Sequence, residues 1–405
     1  MKLHVVNFGC KLNLSESHDL QRKAQQLGFI ITKNIQNTEV IIINSCHVTN
    51  QALQKIIRFV NKIPPQVKHI VVTGCLPINT GFDRGDIYID YQHDHDKIIL
   101  FLSSIITKKI APDTIRKTST REFVKIQSGC DTCCTYCIIP HYRGRPTGIP
   151  LPAIIDKIST LEQENYREII LTGTNLGKYK YLQTDLAGLI DKIISHTKIE
   201  RLRISSIDVT DLDQKLLDLY RTHSDRICPH FHLALQSGSD RVLKLMHRPY
   251  TSEQFLSWTE KIYQTVPDAT ITTDIIVGFP SETDADFIDT LRMIKKCRFL
   301  KTHIFSYSEH PQTPSVKILP KINPDIARER HKLAVQYASR VRRQVMHSFI
   351  GKKFPVLFEQ KKNGYHSGFT PNYLPVKTIA NPGQDLTNKI VNINLKRYRQ
   401  GYFHF

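Results

Sequence analysis

Four cysteines fall within eight residues of one stretch, "SGCDTCCTYCIIPHYRGR", at Cys130, Cys133, Cys134 and Cys137. Thiolates are the soft ligands that hold zinc or iron–sulfur clusters. Several groupings are open. Cys130, Cys134 and Cys137 give C-x3-C-x2-C. On a four-iron cubane, three such ligands leave one iron free to chelate a small molecule. Any four of the loop's thiols would instead make a zinc site, and Cys133 would supply the C-x2-C spacing that suits zinc better.

Three more cysteines stand at equivalent places. Cys10 follows "KLHVVNF", Cys46 follows "EVIIIN" and Cys75 follows "HIVVTG". In a parallel sheet such positions share one carboxyl edge, where ligands bind. One of them would read as a small buried hydrophobe; three argue for a second three-thiolate centre. Cys228 and Cys297 complete an odd total of nine, which disfavours a disulfide framework in a reducing compartment.

The elements that must position these thiols are legible from periodicity. The 405 residues suffice for two or three domains. The first block, 1–112, alternates β-branched runs with amphipathic stretches, as parallel βαβ units do. "SESHDLQRKAQQLGF" predicts a helix with Ser15 or Ser17 as N-cap and Gly28 at its end. "QALQKIIRFVNKI" predicts a helix stopped by Pro64-Pro65.

The second block, 120–342, holds six candidate strands up to about residue 318: "EFVKIQ", "REIILTG", "RLRISSI", "HFHLALQS", "TITTDIIVGF" and "FLKTHIFSY". Six fall short of a closed eight-stranded barrel, so a partial (β/α)6 barrel is expected, with its site at the C-terminal strand ends. A basic helix over about 323–349 trails it. The last block, 345–405, has short β-like runs separated by Gly, Asn and Pro, the pattern of a small β-barrel. The fold class is therefore α/β: a parallel N-terminal domain, a partial barrel and a terminal β-barrel.

Composition narrows the partners. There are 56 Lys plus Arg against 37 Asp plus Glu, a net charge of +19, which favours an anionic partner such as nucleic acid. Residues 351–405 hold nine Lys or Arg against Glu359 and Asp385, with Tyr365, Phe369 and Tyr373 among them. Basic residues beside aromatics suit phosphate contact and base stacking, although Phe369 and Tyr373 fit a barrel core equally well. No apolar run approaches the ~20 residues of a membrane helix, and the start reads as a strand rather than a leader, so a cytoplasmic location is expected.

Together "FGCKLNLSES", "INSCHVTNQA", "VVTGC", "GCDTCCTYCIIPHYRG", "LTGTNLGKY", "LRISSID", "HLALQSGSDRVLKLMHRPYT" and "DIIVGFPSET" resemble the radical S-adenosylmethionine (SAM) methylthiotransferase family over essentially the whole chain. The tail, with "GYHSGFTPNYLPVK", resembles that family's RNA-binding TRAM barrel. The resemblance implies two [4Fe–4S] clusters and SAM as both methyl donor and radical source. Cys130, Cys134 and Cys137 would hold the cluster that binds and cleaves SAM. Cys10, Cys46 and Cys75 would hold an auxiliary cluster carrying the incoming sulfur. Cys133 is then the surplus thiol, pointing away.

Strand-end residues are the expected SAM contacts: Thr172, Gly173 and Asn175 after strand two, Ser205 and Ser206 after strand three, and Gln236 and Ser237 after strand four. Tyr136 is placed near the adenine. His230 and His232 share a strand face and are read as core, and His93 and His95 as a solvated loop.

Within the family, "GCKLN" most resembles the branch acting on N6-threonylcarbamoyladenosine in tRNA. The isopentenyl-adenosine branch more often has Gln-Met at Lys11-Leu12, and the ribosomal-protein branch Pro-Lys. The implied partners are tRNA and a cytosolic electron donor, with neither membrane nor DNA, and a monomer by default. The chain departs from the family at Cys133 and at Pro146-Thr147-Gly148. The alternatives are methylthiolation of isopentenyl-adenosine in tRNA or of an aspartate of a ribosomal protein and, from another class, a non-catalytic zinc and RNA-binding protein.

Overall fold

The computed structural model describes all residues except 47–49, 76–86, 90–93, 107–118, 381–382 and 405. His93 and the expected first-block boundary at 112 lie outside the described residues. Two compact units emerge. The first joins Met1–Thr118 with Ser128–Pro146 and Ser308–Val316; the second joins Ser119–Gln127, Thr147–Tyr307 and Lys317–Phe405. The cysteine loop thus belongs with the N-terminal block.

In the first unit, a five-stranded parallel sheet carries the strands in the order Ile30–Ile31, Lys2–Asn7, Val40–Cys46, His69–Cys75, Ile87–Ile89. Val40, Ile41, Ile42 and Ile43 are fully buried because helices cover both faces, which is why that run shows no polar alternation. One face packs on Leu20, Ala24, Ile98 and Leu102, the other on Ile56, Val60 and Ile63.

The first helix spans Lys11–Leu27 and is capped by left-handed Gly28, as expected. Its start is a correction. Cys10, not Ser15 or Ser17, is the N-cap. The Cys10 carbonyl already accepts the Leu14 N–H at 2.9 Å, and Ser17 sits inside the helix with its hydroxyl donating to the Asn13 carbonyl. The second helix, Asn50–Val60, ends short of Ile63, whose N–H turns back to the Val60 carbonyl before Pro64.

In the second unit all six expected strands are present, parallel and in sequence order: Arg121–Lys125, Glu168–Thr172, Arg201–Ile204 continued by Ser206–Ile207, His230–Leu233, Thr270–Val277 and Lys301–Ser306. Ser205 interrupts the third strand, so one part pairs with the second strand and the other with the fourth. The helix Pro324–His347 follows, and then a six-stranded sheet begins at Lys353. That sheet closes its core with Phe354, Val356, Phe358, Val376 and Phe403 against Met346 and Leu300.

The lower barrel interior is polar and sealed by the terminal sheet. Glu168 bridges Arg203 (Nε–Oε1 2.7 Å) and Arg201 (3.7 Å), all buried. Arg121 pairs with Glu359 at 3.3 Å and donates to the Tyr373 hydroxyl at 3.1 Å. Phe369 and Tyr373 stack at 4.9 Å with Arg121 above both. These two rings are therefore packing elements, as one of the two sequence readings held. Tyr365 is different. It lies on the exposed side with Tyr402, each 37% exposed, and Lys377 sits 4.1 Å from its ring centre.

Candidate functional site

Both sets of thiols lie in the first unit, and none of the nine cysteines is in a disulfide. The strands bearing Cys46 and Cys75 run in register to their last residues, so these two are direct ladder partners. Cys10 follows the neighbouring strand, whose Asn7 is the ladder partner of Asn44. Three successive strand ends thus present three thiols at one sheet edge.

Asparagine pairs fix that edge. The Asn13 amide donates to Asn44 Oδ1 at 2.8 Å and to the Ser45 carbonyl at 2.9 Å, and Asn44 returns a bond to the Asn13 carbonyl at 2.8 Å. The Cys10 thiol donates to Asn13 Oδ1 at 3.1 Å. The helix start is therefore pinned to the end of the Val40–Cys46 strand. Gly74, just before Cys75, has φ +94°, and a Cβ there would lie 2.4 Å from the Ser45 carbonyl oxygen. Only glycine allows the chain to turn there while the ladder continues to its last rung.

The cysteine loop is tied by its backbone. Cys130 N–H donates to the Gly144 carbonyl at 3.0 Å and Cys137 N–H to the Cys134 carbonyl at 3.1 Å. Ser315 N–H donates to the Thr135 carbonyl at 2.9 Å. Gly129 takes φ +82°, and a Cβ there would stand 2.1 Å from the Arg145 carbonyl oxygen, so the loop's two ends close on each other. Cys134 is buried, Cys130 and Cys137 are half-buried, and Cys133 is exposed with its thiol 3.5 Å from the Asp131 carbonyl.

Arg143, from the segment that carries the cysteine loop, reaches Cys75. Arg143 Nε donates to Cys75 Sγ at 3.2 Å, and its terminal nitrogens hold Glu16 at 2.8 and 3.1 Å. Burial pushes the Cys75 thiol up, and Arg143 pulls it back. Sequence reasoning missed Arg143 and Glu16. Their types, one cation and one anion beside cysteine motifs, were visible, but the fold alone brings them together.

In the second unit, Thr172 ends the second strand with Gly173 and Asn175 just beyond it, and Gln236 follows the fourth, whereas Ser205 and Ser206 do not end the third strand: Ser205 interrupts it and Ser206 lies in its continuation. Gln127 was also missed. It is fully buried, and its Oε1 accepts the N–H groups of Thr174 and Asn175, each at 3.0 Å, which holds the loop after the second strand. Ser205 N–H bonds to the Leu171 carbonyl, and Gln236 takes φ +65° while pairing with Asp274 and Ile276. Tyr136 belongs with the cysteine loop in the first unit.

His230 packs 4.9 Å from the Tyr373 ring and is core, as expected. His232 is not merely core: Nε2 lies 3.1 Å from Asp274 Oδ2 and Nδ1 2.9 Å from Thr272 Oγ1. His95 begins the helix His95–Ile105, behind an Asp94 N-cap. Cys228 and Cys297 are buried, and burial pushes their thiols up to about 11 and about 12.

Six parallel strands, the first of them followed in sequence by a loop of four cysteines, define a class. Residues 124–294 match the Radical SAM superfamily, and residues 2–84 match the Uncharacterized protein family UPF0004. A radical SAM methyltransferase, TsrM from Kitasatospora setae, shares the fold at a TM-score of 0.56 and 10% identity, over 90% of this chain and 80% of that one.

Curated relatives define the family more narrowly. The tRNA-2-methylthio-N(6)-dimethylallyladenosine synthase of Endomicrobium trichonymphae is 32% identical, over 98% of this chain and 97% of its own. The threonylcarbamoyladenosine tRNA methylthiotransferase MtaB of Thermotoga maritima is 32% identical (94% and 92% covered), and that of Chlamydia pneumoniae 33% (98% and 96%). The chain belongs to the radical-SAM methylthiotransferase family. It is a transferase that works with SAM and two [4Fe–4S] clusters.

The residues present fit that requirement. Two sets of three thiols, none in a disulfide, sit in one compact unit, each on backbone fixed by hydrogen bonds and forced glycines. Among the described residues, no three His, Cys, Asp or Glu side chains converge on a single ion. A cubane makes a different demand, since it takes each thiolate on a separate iron.

Proposed function

We propose that this chain methylthiolates C2 of N6-threonylcarbamoyladenosine, the modified adenosine next to the anticodon, in tRNA. Cys130, Cys134 and Cys137 would hold the SAM-binding cluster and Cys10, Cys46 and Cys75 the auxiliary one, while Cys133 remains outside. Bound there, the clusters and SAM supply the radical and the methylthio group that breaking and replacing a strong C–H bond requires. An electron from a cytosolic donor completes the requirement.

The observation that carries the reading is the convergence of Cys10, Cys46 and Cys75 on one sheet edge, in the same unit as the cysteine loop. The chain's own residues fix the thiols and exclude water from Cys75 and Cys134, both buried. Thr172, Gly173, Asn175, Ser205 and Gln236 offer hydrogen-bonding groups for SAM on the barrel strands, and Tyr136, in the cysteine loop, is the residue assigned to the adenine. The three-part division 1–112, 120–342 and 345–405 assigns one cluster to the first part, SAM cleavage to the second and RNA binding to the third.

Two observations support tRNA: the names of the curated relatives and the basic terminal sheet with Tyr365, Lys377 and Tyr402 on its exposed side. "GCKLN" favours the threonylcarbamoyl branch. The relative from Endomicrobium favours a second reading, isopentenyl-adenosine in tRNA. Reconstituted protein, SAM and reductant, offered tRNA with either modification, decides between them. Methylthiolation of the threonylcarbamoyl nucleoside is expected; methylthiolation of the isopentenyl nucleoside alone overturns the assignment.

A further inference from the structure

Arg143 ends the short helix Ile139–Arg143, six residues beyond Cys137. Its side chain is 2% exposed. Burying a guanidinium is costly unless it is paired and fully hydrogen-bonded, so the fold must hold this one deliberately. The pairing is a fork: both terminal nitrogens grip the Glu16 carboxylate, whose side chain is 1% exposed. A planar fork held at its end fixes the remaining N–H in direction. That N–H, on Nε, points at Cys75 Sγ at 3.2 Å.

The three partners come from three places. Arg143 comes from the segment that carries Cys130, Cys134 and Cys137. Cys75 ends a strand of the sheet. Glu16 lies on the helix that begins at Cys10. Lysine has the charge but neither the fork nor the directed Nε–H.

We propose that Arg143 is a positioning residue for the auxiliary centre: its Nε–H donates to the Cys75 thiolate and raises the reduction potential of the cluster that Cys75 holds. The inference rests on Cys75 being a cluster ligand. The physical reason is charge. Reduction adds a negative charge to the cluster, and a donor on a ligand sulfur stabilises the more negative state. Glu16 acts in two opposed ways. It aims Arg143 at the sulfur, and its own negative charge opposes reduction.

This predicts opposite signs for two variants. Arg143→Gln removes the donor and the charge, so the potential falls. Glu16→Gln keeps a polar partner of the same shape and removes the negative charge, so the potential rises. Arg143→Lys keeps the charge without the directed bond and falls between Arg143→Gln and the parent. A purely structural role would instead lower cluster content in both variants, with no ordered shift.

The test is a redox titration followed by electron paramagnetic resonance. It uses the full chain carrying Cys130→Ala, Cys134→Ala and Cys137→Ala, so that only the auxiliary cluster is read. The order Glu16→Gln above parent above Arg143→Lys above Arg143→Gln is expected. If Arg143→Gln takes up no iron, Arg143→Lys decides, and a potential equal to the parent's overturns the proposal. Cys75→Ala in the same background keeps the two failures apart. Undiminished iron there contradicts the ligand reading itself; lost iron with unmoved potentials in the arginine variants contradicts only the role of Arg143.

Discussion

Cys46 and Cys75 face each other across the last rung of a parallel ladder, and Arg143 from the cysteine loop donates to the second of them. Two segments far apart in sequence therefore meet at one thiol. Cys75→Ala or Cys46→Ala should remove about half of the reconstituted iron and sulfide, leaving the loop's cluster, as each cluster needs all three of its thiolates. Cys134→Ala should remove the other half. Iron and sulfide analysis checks this, with the broad visible absorbance as a second readout.

Cys133 and Cys134 are neighbours with different surroundings, one exposed and one buried. Cys133→Ala should keep full iron content and SAM cleavage, while Cys134→Ala loses cleavage of SAM to 5′-deoxyadenosine. The reverse result would move the ligand assignment to Cys133.

The buried pair Glu168–Arg203 ties two neighbouring barrel strands beneath the terminal sheet. Burial works against the Glu168 charge, but Arg203 and Arg201 outweigh it and hold the carboxyl below its ordinary range. Glu168→Gln leaves Arg203 buried without a counter-charge and should cost about 3–5 kcal/mol. Denaturant unfolding measures it, and adding Arg203→Met should recover part of the loss.

Asp286 receives hydrogen bonds from Ser239 (2.6 Å) and Thr283 (2.7 Å) and pairs with Arg241. Burial raises its carboxyl, and these donors outweigh burial and hold it well below the usual carboxylate range. A depressed carboxyl stabilises the fold above its unfolded value. That stability is lost as pH falls from there through the folded value. Asp286→Asn should therefore destabilise by about 1.5–3 kcal/mol at neutral pH. The gap to the parent should shrink below about pH 4. Unfolding midpoints across pH follow both effects.

Lys377 lies between the Tyr365 and Tyr402 rings, 4.1 and 5.6 Å from their centres. On the RNA reading, Lys377→Ala should weaken tRNA binding and reduce its log–log salt slope by about 1. Tyr365→Ala should cost about 1–3 kcal/mol if a base stacks there. Phe369, packed beneath Arg121, should alter stability rather than the salt slope.

What the sequence disclosed follows from which forces are local. Continuous apolar runs such as Val40–Ile43 are buried on both faces and name themselves as parallel strands. That Cys10, Cys46 and Cys75 share one sheet edge was legible, because each follows a run that reads as a parallel strand. The helix start at Cys10 was not, since the bonds that fix it run from Asn13 to Asn44 and Ser45, 31 and 32 residues away. Arg143 and Glu16 are 127 residues apart, and no local pattern pairs them. Tyr373 fitted a base platform and a barrel core equally well, because an aromatic residue among short strands reads alike whether it faces solvent or a buried arginine.

The most direct measurement is nucleoside mass spectrometry of tRNA from host cells with the gene, without it, and with the gene restored as Cys134→Ala. The account predicts that the methylthio form of threonylcarbamoyl-adenosine disappears without the gene and its unmethylthiolated precursor accumulates. The Cys134→Ala gene should restore nothing. Unchanged threonylcarbamoyl nucleosides in the deleted strain would contradict it.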